Sequence, residues 1–448
     1  MNLNRKKVLD YVGLDSAVFF TVLGRGLQIC TSFMTVFFIV KFLSPEEQGY
    51  YYTFGSIIAI QVFFELGLTS IIAQFVAHEV SHIKETDSFY NKSRLASLLS
   101  FCVKWYSIFA AVIIIALILI GFFFFQSVDE SSSVIEWRIP WLLLVVGTAV
   151  NFLISPISSF IEGLGYVKEI AKIRLFEQLL FPIIVWGGLL SGARLYVSGV
   201  YSILSAITFF WLIKNSKTWG VLLELKKIHI TSKISYSKEI YPMQWRIALS
   251  WISGYFIFQL FNPVLFATEG PIIAGQMGMT LSALNSLQAL TQSWISTKVP
   301  HISGLIALKK YDKLDDLFNK TLTQMLHVGA LLLFMFVLII GLLQYYNYDF
   351  LGMAIGERFL PFLPLCLMTA STFTMIPINC WATYLRSHKK EPLLVNSIVI
   401  GILCCISTVV TSKLYGIIGL SIGFLRIRII SLIWIRIVFI KKKNEWHK

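Results

Sequence analysis

Five ionisable side chains, Arg25, Glu65, Arg246, Arg426 and Arg428, interrupt stretches otherwise apolar enough to cross a lipid bilayer. A charge at the centre of a transmembrane helix costs about 2.5–3.5 kcal/mol on insertion scales. A chain that keeps five of them is expected to turn them toward a protein-lined, water-filled cavity. Four of the five are arginines, so the expected ligand is anionic, and the guanidinium fork suits a phosphate or carboxylate. Polar residues accompany them at helical spacing. Thr21, Arg25, Gln28, Ser32 and Thr35 share one face, and Ser282, Asn285, Gln292 and Ser296 form a second stripe. Such amides and hydroxyls can hydrogen-bond sugars. Taken singly, each Ser, Thr or Asn also fits ordinary bonding between membrane helices.

The charged positions differ in depth. Arg25 lies about ten residues into its apolar stretch, or roughly 15 Å, and reads either as a substrate contact or as an ion-pair partner of Glu65. Arg246 is nearer a membrane surface, where its head group can snorkel. Arg426 and Arg428 are two residues apart, about 200° around a helix, so both cannot face one cavity squarely. Glu65 is the deepest acid and is the candidate for ion coupling, since burial favours protonation of a carboxyl group. The segment His78-Glu79-Val80-Ser81-His82 matches the H-E-x-x-H zinc-protease pattern. It has no third-ligand motif beside it, and no Walker A sequence occurs, so neither metal-assisted hydrolysis nor ATP drive is expected and no cofactor is implied.

The elements that must position these residues are helices. The chain has 448 residues, 56% of them hydrophobic and only 14% charged, with mean hydropathy +0.73. These values exclude a soluble globule and fit a polytopic membrane protein. At 21–25 residues per span, about twelve apolar helices fit between residues 16 and 440. Most of the 38 Lys and Arg fall in alternate connections if both termini are cytoplasmic, as the positive-inside rule requires. The net charge of +14 is then topological, and nucleic acid is not expected as a partner. All six cysteines lie in apolar stretches as packing residues. The apolar run after the basic N-terminus is too long for a signal peptide. A polar connection divides six spans from six, giving lobes 1–215 and 241–448 around a central cleft, with a linker 216–240. Part of that linker reads as an amphipathic helix on the inner surface or as a plain charged connection. A faint repeat relates the halves: Pro45-x-x-x-Gly49 against Pro271-x-x-x-Gly275, and Asn151 near Pro156 against Asn379 near Pro377.

The segments Phe42-Leu-Ser-Pro-Glu-Glu-Gln-Gly-Tyr-Tyr-Tyr-Thr-Phe54, Tyr241-Pro-Met-Gln-Trp-Arg-Ile-Ala-Leu-Ser-Trp251, Gly270-Pro-Ile-Ile-Ala-Gly-Gln-Met-Gly-Met-Thr280 and Trp294-Ile-Ser-Thr-Lys-Val-Pro300 carry a family likeness. The sequence resembles bacterial O-antigen flippases, in the polysaccharide transporter branch of the multidrug/oligosaccharidyl-lipid/polysaccharide exporter superfamily. The resemblance implies two six-helix lobes and a cationic cleft in the bacterial inner membrane. It implies ion-coupled turnover of undecaprenyl-diphosphate-linked oligosaccharide from the inner to the outer leaflet, without covalent chemistry. The implied partners are that lipid-linked substrate, membrane lipids, and a polysaccharide polymerase with its chain-length regulator. The sites expected on this reading are Arg25, Gln28, Arg246, Asn285, Gln292, Arg426 and Arg428 for substrate and Glu65 for the coupling ion. Two other readings stand beside it. A multidrug or metabolite antiporter of the same superfamily normally takes cations, which the arginines disfavour. A membrane polysaccharide polymerase needs a sizeable outer loop, and those near Phe125–Arg138 and Tyr345–Arg358 are short.

Overall fold

The computed structural model describes residues 16–86, 89–129, 135–349, 352–388 and 390–447. Those residues are all-α, with no strand among them. Helix α1 covers Ser16–Phe42, and α2 (Pro45–Ile58) continues through a 3-10 turn to a short segment, Val62–Glu65. There follow α3 (Leu68–Thr86), α4 (Phe89–Asp129), α5 (Arg138–Gly163), α6 (Val167–Leu190) and α7 (Tyr196–Lys214). The second half holds α8 (Lys217–Lys227), α9 (Tyr241–Phe258), α10 (Phe261–Glu269), α11 (Pro271–Ala307), α12 (Tyr311–Tyr345), α13 (Phe362–Ser387) and α14 (Leu394–Trp446).

Among the described residues, eight stretches of helix are long and apolar enough to cross a membrane. The twelve expected rods emerge once three features are read physically. The segments Pro45–Glu65 and Leu68–Ile83 pass the same test together but are bent by 44°. Gly26–Phe42 is apolar but short, and α11 is more polar than an ordinary span. Finally, α14 is two arms joined at Gly416, whose φ of 60° and ψ of −151° leave the helical region. The carboxylate of Glu269 accepts a 2.9 Å bond from the Ile417 amide there, capping the second arm.

The chain forms two compact units. The first holds residues 1–31 and Ile58–Trp251. In it α5 and α7 approach closely because Gly147 lies against Ser202 and Gly199 against Leu143. Asn151 bridges the same pair, its Nδ2 donating to the Ser202 carbonyl at 2.8 Å and to the Gly147 carbonyl at 2.9 Å. Trp141 is fully buried over Gly121 and donates its indole N–H to the Leu117 carbonyl at 3.2 Å. The expected amphipathic linker helix is α8, which buries Leu222 and Leu225 and exposes Leu223. Beyond α8 the chain is strapped to α4. Ser93 Oγ accepts from the Thr231 and Ser232 amides at 2.8 and 3.0 Å, and Ser97 Oγ accepts from Ile234 at 3.2 Å.

The second unit holds Ser32–Ile57 and Ile252–Lys448. Its organising contact is the pair of proline–glycine motifs. A Cβ on Gly49 would lie 2.0 Å from the Pro271 carbonyl oxygen, and one on Gly275 would lie 2.8 Å from the Gly49 nitrogen. The two repeat motifs therefore pack against each other, backbone on backbone. Gln48 locks the crossing by donating to the Gly275 carbonyl at 2.8 Å and to the Arg358 carbonyl at 3.1 Å. Arg358 in turn donates to the Leu43 carbonyl at 2.8 Å.

Candidate substrate cavity

One turn past Gly275, Gly278 leaves room for Tyr52 to lie flat on α11, where a Cβ would come within 2.3 Å of the tyrosine. That close approach opens a cavity of about 410 Å³ inside the second unit. Its polar lining comes from several helices: Tyr52 and Ser56 on α2, Ser282, Asn285 and Gln288 on α11, and Ser371 and Thr372 on α13. Gln259 and Asn262 join them at the break between α9 and α10. Apolar surface is supplied by Phe258, Phe261, Phe424, Met368 and Met375. The lining contains no charged side chain.

The polar groups divide by what already holds them. Asn262 is fixed: its Nδ2 donates to Ser56 Oγ at 3.0 Å, while its buried Oδ1 has no partner among the described residues. Thr372 and Ser371 return their hydroxyls to α13 carbonyls at 3.0 and 2.9 Å. Gln259, Asn285 and Gln288 make no side-chain bond among the described residues, so their amides face the cavity with donors and acceptors to spare. Neutral amides and hydroxyls beside aromatic faces suit a ligand rich in hydroxyl groups, whose C–H faces pack on rings while its OH groups bond the amides.

The expected site residues are dispersed. Asn285 lines the cavity, and Gln292, two turns further along α11, is half-buried outside it. Arg428 is buried at 3% exposure behind Phe424, its guanidinium carbon 5.9 Å from that ring, whereas Arg426 is exposed. Gln28 and Arg246 are exposed residues of the first unit, with Arg246 over the Trp245 ring at 5.4 Å. The Arg25 side chain lies outside the described residues. Tyr52, Gln259, Asn262 and Gln288 line the cavity beyond the residues expected there. Gln288 was within reach, since it falls one turn from Asn285 on the same stripe. The others depend on a helix break and a glycine contact that no periodicity encodes.

Glu65 sits in the first unit where its helix is interrupted. Leu66 and Gly67 both adopt left-handed backbone, at φ 51° and 67°. A Cβ on Gly67 would meet Ile247 of α9 at 2.3 Å. Leucine at such a φ is strained, and the break ends one half-helix on a carboxylate. Glu65 Oε1 accepts from Thr69 Oγ1 at 2.6 Å, and Glu65 forms no ion pair among the described residues. The hydroxyl of Tyr106, fully buried on α4, has no hydrogen-bond partner among those residues. The H-E-x-x-H segment has a different task. Glu79 binds Arg94 Nε at 2.9 Å, and Arg94 also holds Glu239, so the glutamate of the motif anchors the linker. His78 and His82 stack edge to face at 4.6 Å.

No protein-family model matches this chain, and no curated protein matches it either. Its fold matches solved structures. A multidrug-resistance transporter of the MATE family in the MOP superfamily, in an inward-facing conformation, gives a TM-score of 0.61 at 13% identity, covering 95% of each chain. A MOP-superfamily transporter from Pyrococcus furiosus, described as having a binding pocket of reversed polarity, gives 0.54 at 14%, covering 96% of each. The lipid II flippase MurJ gives 0.53 at 14%, covering 96% of this chain and 89% of that one. The chain therefore has the multi-pass helical fold of MOP-superfamily transporters.

Proposed function

We propose that this protein turns a lipid-linked oligosaccharide, carried on undecaprenyl diphosphate, from the inner to the outer leaflet of a bacterial inner membrane. The observation that supports this reading best is the uncharged cavity with the free amides of Gln259, Asn285 and Gln288. Hydroxyl-rich glycan meets such a lining at low desolvation cost, and a permanently cationic drug meets no carboxylate in it. The resemblance to O-antigen flippases, and a fold shared with a lipid II flippase, agree with that chemistry. The lobes 1–215 and 241–448 would then rock about the linker in alternating access, with cytoplasmic termini. Glu65, at its helix break beside Thr69, is the proposed site of the coupling cation. Arg25 and Arg246 are proposed to meet the diphosphate as it enters.

The test is reconstitution. The purified chain in liposomes should move a fluorescent undecaprenyl-diphosphate oligosaccharide between leaflets, read by quenching from outside. An imposed proton or sodium gradient should accelerate the movement, and Glu65→Gln should remove the acceleration. A chain that ignores this lipid but confers resistance to cationic dyes in an efflux-deficient host would be a multidrug antiporter, which the shared fold also accommodates.

A further inference from the structure

Arg428 projects from the second arm of α14, one turn beyond Phe424, and is 3% exposed. Its neighbour Arg426 is exposed, so this segment of helix sends one arginine outward and the other fully inward. Buried arginines are normally paired, because removing a guanidinium from water is costly unless its donors are satisfied. Here Nε and Nη2 have no hydrogen-bond partner among the described residues, and no carboxylate forms an ion pair with the group. The Cys404 thiol, on the first arm, is itself buried at 1% exposure.

A second donor stands beside it. Asn396, on the first arm and 5% exposed, uses its Oδ1 to accept from Ser431 Oγ at 3.3 Å and leaves Nδ2 unpartnered. Ser431 and Arg428 are three residues apart, hence neighbours on one helix face. The hairpin thus brings together three buried donor nitrogens without acceptors, two of them on the permanently charged guanidinium. Unpartnered donors on a guanidinium and an amide together favour an anion. Access is indicated by Phe424, which lines the cavity on one side and carries the guanidinium 5.9 Å from its ring on the other.

We infer that Arg428 and Asn396 form a buried anion-binding site, entered from the cavity when the Phe424 ring turns aside. The shared chemistry is a compact anion presenting one or two acceptor atoms to a guanidinium edge and an amide. It comes either from the phosphate of a substrate lodged in the cavity or from a free inorganic anion. Only the first source rests on the function proposed above.

The experiment is thermal unfolding of the purified full chain in lipid nanodiscs, in gluconate buffer, with added sodium pyrophosphate or sodium chloride. The wild type should gain several degrees with at least one of these salts. Arg428→Met deletes the unpaired charge while keeping the volume, so it should be at least as stable as wild type in gluconate and insensitive to either anion. Asn396→Asp places a carboxylate beside the guanidinium, so it too should lose the anion response while its baseline rises. A response to pyrophosphate alone assigns the site to phosphate, and an equal response to chloride assigns it to an inorganic anion. Absence of any response in the wild type overturns the inference, as does full retention of the response in Arg428→Met. Failure of the liposome assay with the anion response intact would remove the proposed substrate and leave the site standing.

Discussion

Residues that line the cavity fall into two energetic classes, and single substitutions should separate them. Asn285 and Gln288 spend no side-chain bonds on the fold, so truncation removes only what they would give a ligand. A net hydrogen bond contributes about 0.5–1.5 kcal/mol. Asn285→Ala and Gln288→Ala should each weaken binding of the proposed lipid-linked sugar roughly two- to tenfold and leave the melting temperature unchanged. Asn262 is different, because it holds Ser56 across the cavity wall at 3.0 Å. Asn262→Ala should lower both binding and stability, the latter by about 1 kcal/mol. Parallel titration and thermal unfolding check the distinction, and equal destabilisation by all three would contradict it.

At the scale of elements, the glycine crossing between α2 and α11 governs the second unit. Gly49 faces backbone, which cannot move aside as a side chain can. Gly49→Ala should therefore cost about 1–3 kcal/mol, the usual penalty of overpacking. Gly304, also on α11, has open space where a Cβ would go. Gly304→Ala should be neutral or stabilising by up to about 1 kcal/mol through helix propensity alone. Denaturant titration of the two variants in one detergent gives the comparison. The linker obeys a related rule. Its backbone amides are satisfied by serines of α4 and its acid by Arg94, so it is a strap fitted along α4 within the first unit. Both Glu79 and Arg94 are largely buried, at 7% and 15% side-chain exposure. Arg94→Ala leaves a buried acid unpaired, which should cost about 3–5 kcal/mol. Protease cleavage after Lys233 should then become fast; a cleavage rate equal to wild type would show that the strap holds without the ion triad.

For the whole molecule the decisive quantity is orientation in the bilayer. The positive-inside rule predicts that the basic residues of α8 and of the 309–313 connection place those segments in the cytoplasm. Reporter fusions after Lys217 and Lys310 should report cytoplasm, and one after Tyr348 should report periplasm. One clear inversion among them would break the twelve-span arrangement. In that predicted orientation the Gly49–Gly275 crossing would lie toward the periplasmic side, with the cavity on its cytoplasmic side.

Hydrophobic content and charge asymmetry determine by themselves that this chain is a bundle of membrane helices, because a bilayer admits no lipid-exposed backbone left unbonded. The apolar residues among the linker lysines offered an amphipathic helix beside a plain charged connection, and the motifs at Gly49 and Gly275 were legible as a repeat, but their backbone contact was not. Helical spacing also raised the alternative that Arg426 and Arg428 cannot share one face. Only the tertiary structure decided which of the two is inside, since a 200° separation is symmetric until a neighbouring helix covers one side. It likewise decided that Glu79 serves Arg94 across fifteen residues, and that Asn285 gains Gln259 and Asn262 from another helix as company. Helical period reports which residues share a face of one helix. It carries no information on which faces of different helices meet, and a binding cavity is built from those meetings.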